Sequence, residues 1–379
     1  MSNGAPLPER ILMTADTMGG VWTYAVELSH MLWKHGIEVV LATMGAPLTE
    51  EQWKEIARIP DIKVYESAFK LEWMEQPWDD IVSAGAWLLS LEEEIDPDIV
   101  HLNGYAHGVL SFRAPKLVVG HSCVLSWWQA VRNEPAPGEW ETYREAVTQG
   151  LHAADFVIAP THAMLDMLHL QYGPIVREMV VPNGRDPELF LPGIKEPFVL
   201  TAGRLWDRAK NVAALHRIAP SLSWPVYSAG EEQYPSGADE HGATRIDNFR
   251  RLGRLSARAI ASWLARASIY ALPAYYEPFG LSILEAGLSA CALVLGDIPS
   301  LREIWDDAAL FVHPDDTKML REALKALIRD DAYRAAMAAK ARMRALEFSP
   351  HRMVSGYLAV YQAMMAEKRR SIKENTVCV

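Results

Sequence analysis

The sequence predicts an α/β fold built from two doubly wound domains. Short apolar segments with strand composition alternate with amphipathic helical segments along the chain, which is typical of parallel sheets covered by helices. This alternation is interrupted by a segment rich in turn-forming residues at 182–193 and then starts again. The chain has 379 residues, which is too long for one ordinary α/β core. We therefore predict two domains joined near residues 182–193.

The first half begins with a strand at 10–14, a Gly19-Gly20 turn and an amphipathic helix from about residue 21 to 35. Helical stretches separate the strands predicted after it, which are 38–43, 99–102, 116–121, 156–159 and 178–182.

The second half repeats this pattern, and Ser256 is predicted to cap one of its helices. The predicted strands are 197–203, 225–230, 269–273, 292–295 and 309–312. The predicted helices are 211–219, 257–267, 282–290, 317–328, 331–346 and 350 to about 368. In sheets of this kind, ligands bind at the carboxyl ends of the strands, where the unusual turns of this chain also lie.

Composition excludes several classes of partner. The net charge of −11 argues against nucleic acid, and three widely separated cysteines form neither a disulfide framework nor a CxxC metal pattern. We expect a cytoplasmic protein, because no secretory signal pattern and no apolar run of about 18 residues or more is present. The basic cluster at 368–373 is interpreted as a solvated end, with weak peripheral contact to anionic lipid as the alternative.

The most informative segment is Glu277-Pro-Phe-Gly-Leu-Ser-Ile-Leu-Glu285. It predicts a tight turn between a buried strand and a helix, with N–H groups near Gly280 and Leu281 available to an anion. The two carboxylates would repel a phosphate unless they reach past it to hydroxyl groups. The pattern therefore points to a ligand with phosphate in the middle and sugars at both ends, a nucleotide-sugar.

Together with other landmarks, this segment resembles glycosyltransferase family 4, the retaining "glycosyl transferases group 1" of the GT-B fold. The resemblance covers nearly the whole chain, and the E-x7-E segment is its most specific part. The other landmarks are Gly203-Arg-Leu with Lys210-Asn211, Leu252-Gly-Arg-Leu-Ser256, Gly19-Gly20-Val21, His121 and Pro182-Asn-Gly184.

The resemblance implies two Rossmann-like domains that face a central cleft. In the GT-B fold the chain crosses back near its end, here at Phe348-Ser-Pro350. The implied acceptor-side domain comprises residues 1–190 and 355–379, and the implied nucleotide-sugar domain comprises residues 193–354.

The resemblance also implies the catalytic residues. Glu277 contacts the donor sugar, and His121 contacts it near the reacting carbon. Arg204 and Lys210 stabilise the leaving diphosphate without a metal. The spacing between Arg204 and Lys210 is one residue longer than is common in the family. Either the extra residue bulges out or Arg208 shares the role.

Further donor and acceptor contacts are implied, each with a structural alternative. Glu285 takes the ribose diol, while the Gly19-Gly20 turn faces the diphosphate and Arg254 and Leu255 contact the base. The remaining donor contacts are Phe279, Gly280 and Leu281. A platform of aromatic rings for the acceptor, whose alternative is core packing, comprises Trp22, Tyr24, Trp127 and Trp128.

No cofactor is expected, because the family lacks a metal-binding D-x-D motif. Asp96-Pro-Asp98 precedes a strand here, whereas a metal site would follow one. We predict a retaining, metal-independent hexosyltransferase that uses UDP-glucose or, as second choice, GDP-mannose and glycosylates a saccharide, a lipid-linked sugar or a small alcohol. The alternatives are a GT-B nucleotide-sugar epimerase, a phosphorylase-like enzyme and a non-enzymatic two-domain sugar-binding protein.

Overall fold

The computed structural model describes residues 6–231 and 247–377, so that Cys378 lies outside the described part. The chain divides into two compact units, and the change from the first to the second follows Gly184. The first unit comprises Met1–Ser126, Pro135–Gly184 and Pro350–Val379, and the second comprises Trp127–Glu134 and Arg185–Ser349.

The first unit contains a parallel sheet of seven described strands in the order β3-β2-β1-β4-β5-β6-β7. The strands are β1 Arg10–Asp16, β2 Glu38–Met44, β3 Lys63–Glu66, β4 Ile99–Leu102, β5 Lys116–Val119, β6 Phe156–Ala159 and β7 Glu178–Val180. The helices that alternate with them along the chain are α1 Gly20–Lys34, α2 Glu50–Ile56, α3 Trp78–Ile95, α4 Val124–Arg132, α5 Glu141–Ala153 and α6 His162–Tyr172. Of these, α4 belongs to the second unit from Trp127 onward.

The second unit contains a parallel sheet in the order β10-β9-β8-β11-β12-β13. Its strands are β8 Glu196–Ala202, β9 Val226–Ala229, β10 Phe249–Arg251, β11 Ala267–Leu272, β12 Ala292–Gly296 and β13 Leu310–Val312. Its helices are α7 Val212–Ile218, α8 Ala257–Arg266, α9 Leu281–Leu288, α10 Pro299–Trp305, α11 Thr317–Arg329 and α12 Asp331–Ala345. The Ser256 cap of α8 is confirmed, because its side chain accepts the N–H of Ala259.

Both faces of the second sheet are buried, which explains its continuous apolar strands. Along β11, Tyr270 and Leu272 pack into the core on one face of the sheet. Ile269 and Ala271 pack into the core on the other face. The sheet is therefore the middle layer of a three-layer unit, and its loops emerge only at the two ends of the strands.

The last helix, α13 Pro350–Val377, belongs to the first unit. It begins at the predicted Pro350 and extends beyond the predicted end near residue 368. Tyr357 and Tyr361 are fully buried in the core that also contains Ile11 of β1 and Leu28 of α1. A segment distant in sequence thus completes the core beside the first strand.

Two of the four edge strands of the described sheets, β3 and β10, were not predicted, whereas β7 and β13 were. β3 has the sequence Lys-Val-Tyr-Glu and has no fully buried residue, while β10 exposes Arg250 and Arg251. Edge strands are often short and charged, so they lack the apolar run by which the central strands were recognised.

Close packing in the first unit yields a prediction. A Cβ atom on Gly150 of α5 would lie 1.9 Å from the Tyr105 carbonyl oxygen. Alanine normally favours a helix over glycine, but here Gly150→Ala should lower the free energy of unfolding by roughly 1–3 kcal/mol, because the backbone must shift. Urea denaturation measures the change.

The matched control is Gly138→Ala, where an added Cβ meets nothing within 4 Å. Its effect should stay within about 0.5 kcal/mol. Equal effects of the two substitutions would contradict the packing argument.

Candidate active site

The loop after β8 carries the predicted cations. A 3-10 turn at Arg208–Lys210 follows Asp207, whose Oδ1 accepts the N–H of Ala209 at 2.9 Å. The longer spacing between Arg204 and Lys210 is thus absorbed into a capped turn. Arg208 is exposed, whereas Lys210 is half-buried.

The segment between β11 and α9 forms the predicted tight turn. Gly280 is the N-cap of α9 with a φ of 88°, and a Cβ atom there would lie 2.7 Å from Cδ1 of Ile283. Glycine is therefore required at this position. The first hydrogen bonds of α9 run from the N–H groups of Ile283 and Leu284 to the Gly280 carbonyl oxygen. The N–H groups of Leu281 and Ser282 precede these bonds, as at an anion-binding helix N-terminus.

Hydrogen bonds join the loops at this edge of the sheet. The side-chain amide of Asn211 donates to the carbonyl oxygens of Pro273 at 2.9 Å and Pro314 at 2.8 Å. The N–H of Tyr275 donates to the carbonyl oxygen of Ala209 at 2.8 Å. The loops after β8, β11 and β13 are therefore held as one structure.

Lys210 and Glu277, which come from two of these loops, form an ion pair. Lys210 Nζ lies 2.6 Å from Glu277 Oε2, and their side chains are 12% and 14% exposed. The Ser300 hydroxyl donates to the Glu277 carbonyl oxygen at 2.7 Å, which anchors the backbone. The ammonium group has three donors and the carboxylate a second oxygen, so both retain capacity to bind a ligand.

Asp207 orients Arg204, and sequence reasoning missed it. Arg204 Nη2 lies 3.4 Å from Asp207 Oδ2, and its guanidinium group lies 5.5 Å from the centre of the Trp206 ring. Asp207 Oδ1 also accepts the indole N–H of Trp127 at 2.9 Å. The available signal was an acidic residue at the cap position of the turn that leads to Lys210.

Glu285 lies in the second turn of α9 and is also paired. Its Oε1 accepts a hydrogen bond from Arg185 Nε at 2.9 Å, and the two side chains are 11% and 10% exposed. Burial raises the pKa of the Glu285 carboxyl, and the charge and hydrogen bond of Arg185 oppose this shift. Sequence reasoning missed Arg185, because nothing near residue 185 indicates a partner one hundred positions away.

The other predicted donor-binding residues in this unit differ in exposure. Arg254 is exposed and pairs with Glu231 at 3.0 Å, while Leu255 packs partly against the core. Phe279 is 3% exposed and contacts Phe348 edge to face. Any donor contact of Phe279 is therefore restricted to its main chain.

In the first unit, the predicted glycines and histidine follow β1 and β5. Gly19 is exposed and is the N-cap of α1, with Gly20 as the first helical residue. His121 Nε2 lies 2.8 Å from Asn103 Oδ1, and Asn103 Nδ2 donates to the Thr14 carbonyl oxygen at 2.6 Å.

This arrangement assigns the histidine tautomer. A carbonyl oxygen accepts only, so the Asn103 amide nitrogen must face Thr14 and its oxygen must face His121. His121 therefore carries its proton on Nε2 and leaves Nδ1 as an acceptor. Burial lowers the pKa of His121 to about 3, so the ring is neutral near neutral pH.

Two of the four predicted acceptor rings are core residues. Tyr24 is 1% exposed, and its hydroxyl lies 3.2 Å from Nε2 of His101. Trp22 is 4% exposed and donates its indole N–H to Glu55 at 2.7 Å. The prediction of an acceptor platform is wrong for these two rings, because each is enclosed by the first core.

The other two rings, Trp127 and Trp128, are half-buried and lie edge to face at 5.8 Å. The guanidinium group of Arg132 lies over the Trp128 ring, 5.4 Å from its centre.

Across residues 6–231 and 247–377, no helix combines the length and the apolar character that crossing a membrane requires. In the same part of the chain, no three His, Cys, Asp or Glu side chains come together as a metal-binding group.

Two family models match the chain. The model described as "Glycosyltransferase Family 4" matches residues 18–189, and the model described as "Glycosyl transferases group 1" matches residues 196–330. Between them they cover strands β2 to β13, while β1 precedes the first match, and the E-x7-E segment lies within the second match.

Named relatives and solved structures agree with these models. The chain is 28% identical to the alpha-maltose-1-phosphate synthase of Mycolicibacterium smegmatis, over 70% of this chain and 76% of that protein. It is 26% identical to the D-inositol 3-phosphate glycosyltransferase of Xylanimonas cellulosilytica, over 93% of each.

Among solved structures, sucrose-phosphate synthase from Thermosynechococcus elongatus superposes with a TM-score of 0.79 at 17% identity, over 95% of this chain and 100% of that chain. The Anabaena protein HepE, in complex with UDP and glucose, superposes with a TM-score of 0.67 at 15% identity, over 96% and 100%. At these identities the superpositions show the fold.

The buried histidine of the first core predicts a pH dependence of stability. His101 is fully buried, and its pKa is lowered to about 3, chiefly by burial. Below the unfolded pKa of about 6.5 the unfolded chain binds a proton that the folded chain does not, so stability falls as the pH falls. Between pH 6.5 and pH 5 this contribution amounts to about 2 kcal/mol.

The variant His101→Gln lacks this contribution, and comparing it with the native chain cancels the titration of the carboxyl groups. The difference in unfolding free energy between the two proteins should shrink by about 2 kcal/mol from pH 7 to pH 5, measured by urea denaturation. A difference independent of pH would show that His101 is not held neutral.

Proposed function

The chain belongs to glycosyltransferase family 4, with the two-domain GT-B fold, and on this premise we propose a retaining, metal-independent hexosyltransferase that uses a nucleotide-diphosphate sugar. The observation that carries the proposal is the Lys210–Glu277 ion pair beside the N-terminus of α9, with Glu285 buried in the same helix. A cation, an anion-binding helix end and two carboxylates match a ligand with phosphate between two sugars.

We assign a part of the donor to each group. The N–H groups of Gly280 and Leu281 bind a phosphate oxygen, and Glu285 accepts hydrogen bonds from the ribose hydroxyls. Lys210 retains donors for the diphosphate while it stays bonded to Glu277. Glu277 turns its other oxygen toward hydroxyls of the transferred hexose.

The proposed reaction takes place on one face of the sugar. The bond between the anomeric carbon and the phosphate oxygen breaks, and the acceptor oxygen bonds to the same face, so the configuration is retained. The acceptor proton passes to an oxygen of the leaving diphosphate, so no separate protein base is required. Lys210 and Arg204 stabilise the charge that develops on the diphosphate, which is the task of a metal ion in other transferases.

Neutral His121 suits a role near the reacting carbon. An imidazolium there would oppose positive charge on the sugar, whereas the neutral ring does not. Its Nδ1 acceptor remains for a sugar hydroxyl, since Nε2 is engaged by Asn103.

We propose UDP-glucose as the donor first and GDP-mannose second. Structures of HepE in complex with UDP and glucose and with UDP-glucose support the first choice. GDP-mannose is retained as the second choice because one relative, 31% identical over 28% of the chain, is named as an O-antigen chain mannosyltransferase. The acceptor is a hydroxyl of a saccharide, a lipid-linked sugar or a small molecule.

Donor binding is predicted to depend on Glu285. In a thermal-shift panel of nucleoside diphosphates and nucleotide-sugars, the true donor should raise the melting temperature of the native chain, because it binds only the folded state. Glu285→Gln should weaken the binding of the selected nucleotide by roughly tenfold or more, because it removes charged hydrogen bonds to the ribose.

The matched control is Glu322→Gln, which alters an exposed carboxylate on α11. It should leave affinity unchanged, as measured by calorimetry. Native affinity in Glu285→Gln would contradict the ribose assignment.

Turnover is predicted to depend on Lys210. Lys210→Met should lower kcat by roughly 100-fold to 1000-fold, because charge on the leaving diphosphate loses its stabilising cation. Release of nucleoside diphosphate in the presence of acceptor measures the rate, and a chelator should leave the native rate unchanged.

The control is Arg208→Met, which removes the exposed neighbouring cation. An equal loss in both variants would mean that the two cations share the role. A chelator-sensitive native rate would contradict the metal-independent mechanism.

A further inference from the structure

We infer that Arg185 is a positioning residue for the donor, because it holds the Glu285 carboxylate in the orientation in which it accepts the ribose hydroxyls. This inference rests on the proposed function, since it concerns the same nucleotide site. Neither sequence motif indicates this role. Arg185 follows directly after the Pro182-Asn-Gly184 turn, and it lies one hundred residues before Glu285, which ends the E-x7-E segment.

Arg185 is fixed by several contacts within the second unit. Its main-chain N–H donates to the Phe348 carbonyl oxygen at 3.1 Å. Its guanidinium group lies 5.0 Å from the centre of the Phe190 ring, a cation–π distance. Its Nε donates to Glu285 Oε1 at 2.9 Å. With its backbone and one face of its guanidinium group engaged, the side chain is prearranged to orient the carboxylate.

Glu285 needs such a partner because of its surroundings. Ile283, Leu284 and Ala286, its neighbours on α9, are 0% exposed. Burial of this kind favours the protonated carboxyl, which acts as a donor on one oxygen and no longer accepts on both. The charge of Arg185 opposes that protonation, so it preserves the form that accepts two ribose hydroxyls.

The pair still leaves room for the ligand. A carboxylate has two oxygens and about four acceptor positions, and the bond from Nε uses one position on Oε1. This bond from Arg185 therefore leaves acceptor positions on Glu285 for the ribose hydroxyls. Lys210 differs from Arg185 in this respect, because in the proposed function its own ammonium group binds the diphosphate while its partner Glu277 binds the transferred hexose.

The test compares the binding of UDP-glucose by the native chain, Arg185→Met and Arg185→Lys, with calorimetry from pH 6 to pH 8. GDP-mannose is the probe if the native chain prefers it. Neither nucleotide-sugar has a phosphate group that titrates near neutrality, so changes in affinity with pH report on the protein. We expect Arg185→Met to bind roughly tenfold to a hundredfold more weakly at pH 7.

The pH profile separates positioning from a general loss of structure. Without Arg185 the pKa of Glu285 rises further, so the affinity of Arg185→Met should fall as the pH is lowered from 8 to 6. The affinity of the native chain should stay nearly constant over this range. The affinity of Arg185→Lys should also change little with pH, because lysine keeps the positive charge.

A double variant provides a second measurement, which distinguishes a role through Glu285 from a general loss of stability. If Arg185 acts through Glu285, then Arg185→Met combined with Glu285→Gln should bind no more weakly than Glu285→Gln alone, because the two effects are not additive. Arg266→Met is the matched control, since it breaks the more exposed pair with Glu196 in the same unit and should leave affinity unchanged.

The outcomes distinguish this inference from the proposed function. Additive losses, or a pH profile of Arg185→Met parallel to the native one, would overturn the positioning role while donor binding by the native chain stands. A native chain that binds neither nucleotide-sugar would overturn the proposed function itself.

Discussion

The candidate site depends on the buried side chain of Asn211, more than on any charged group. Its amide donates to the carbonyl oxygens of Pro273 and Pro314 and so ties together loops that follow three strands of the second sheet. Unsatisfied carbonyl groups at this buried position would each carry a desolvation cost of about 1–3 kcal/mol. With these bonds made, Lys210 and Glu277 face each other from separate loops at a separation set by the sheet.

Pairing of charged side chains within the protein is the second organising feature. Lys210 pairs with Glu277, Arg204 with Asp207, and Arg185 with Glu285, all within the second unit. A half-buried charge without a partner would be costly or would change its protonation state. The pairs therefore keep each group charged and oriented, so that little reorganisation is needed when a diphosphate and its sugars replace water.

Particular elements show how far prediction from the sequence reaches. The central strands β11 and β12 were predicted correctly because burial on both faces requires continuous apolar residues. The turn before α9 was predicted because Pro-Phe-Gly permits few backbone conformations. The edge strands β3 and β10 were missed, since their charged residues interrupt any such pattern. Tyr24 was misinterpreted as a ligand platform because an aromatic residue near a turn has the same appearance whether it packs inward or outward.

By itself, the sequence determined the α/β class, the family and the positions of the functional side chains along their own strands and helices. These properties depend on local periodicity and on motifs of fewer than about a dozen residues. Only the tertiary structure decided which charges pair, that Asp207 holds Arg204, and that Arg185 reaches Glu285 across one hundred residues. The physical reason is that pairing depends on distances between elements, and those distances arise from the order of strands in the sheet and from core packing, which no local pattern encodes.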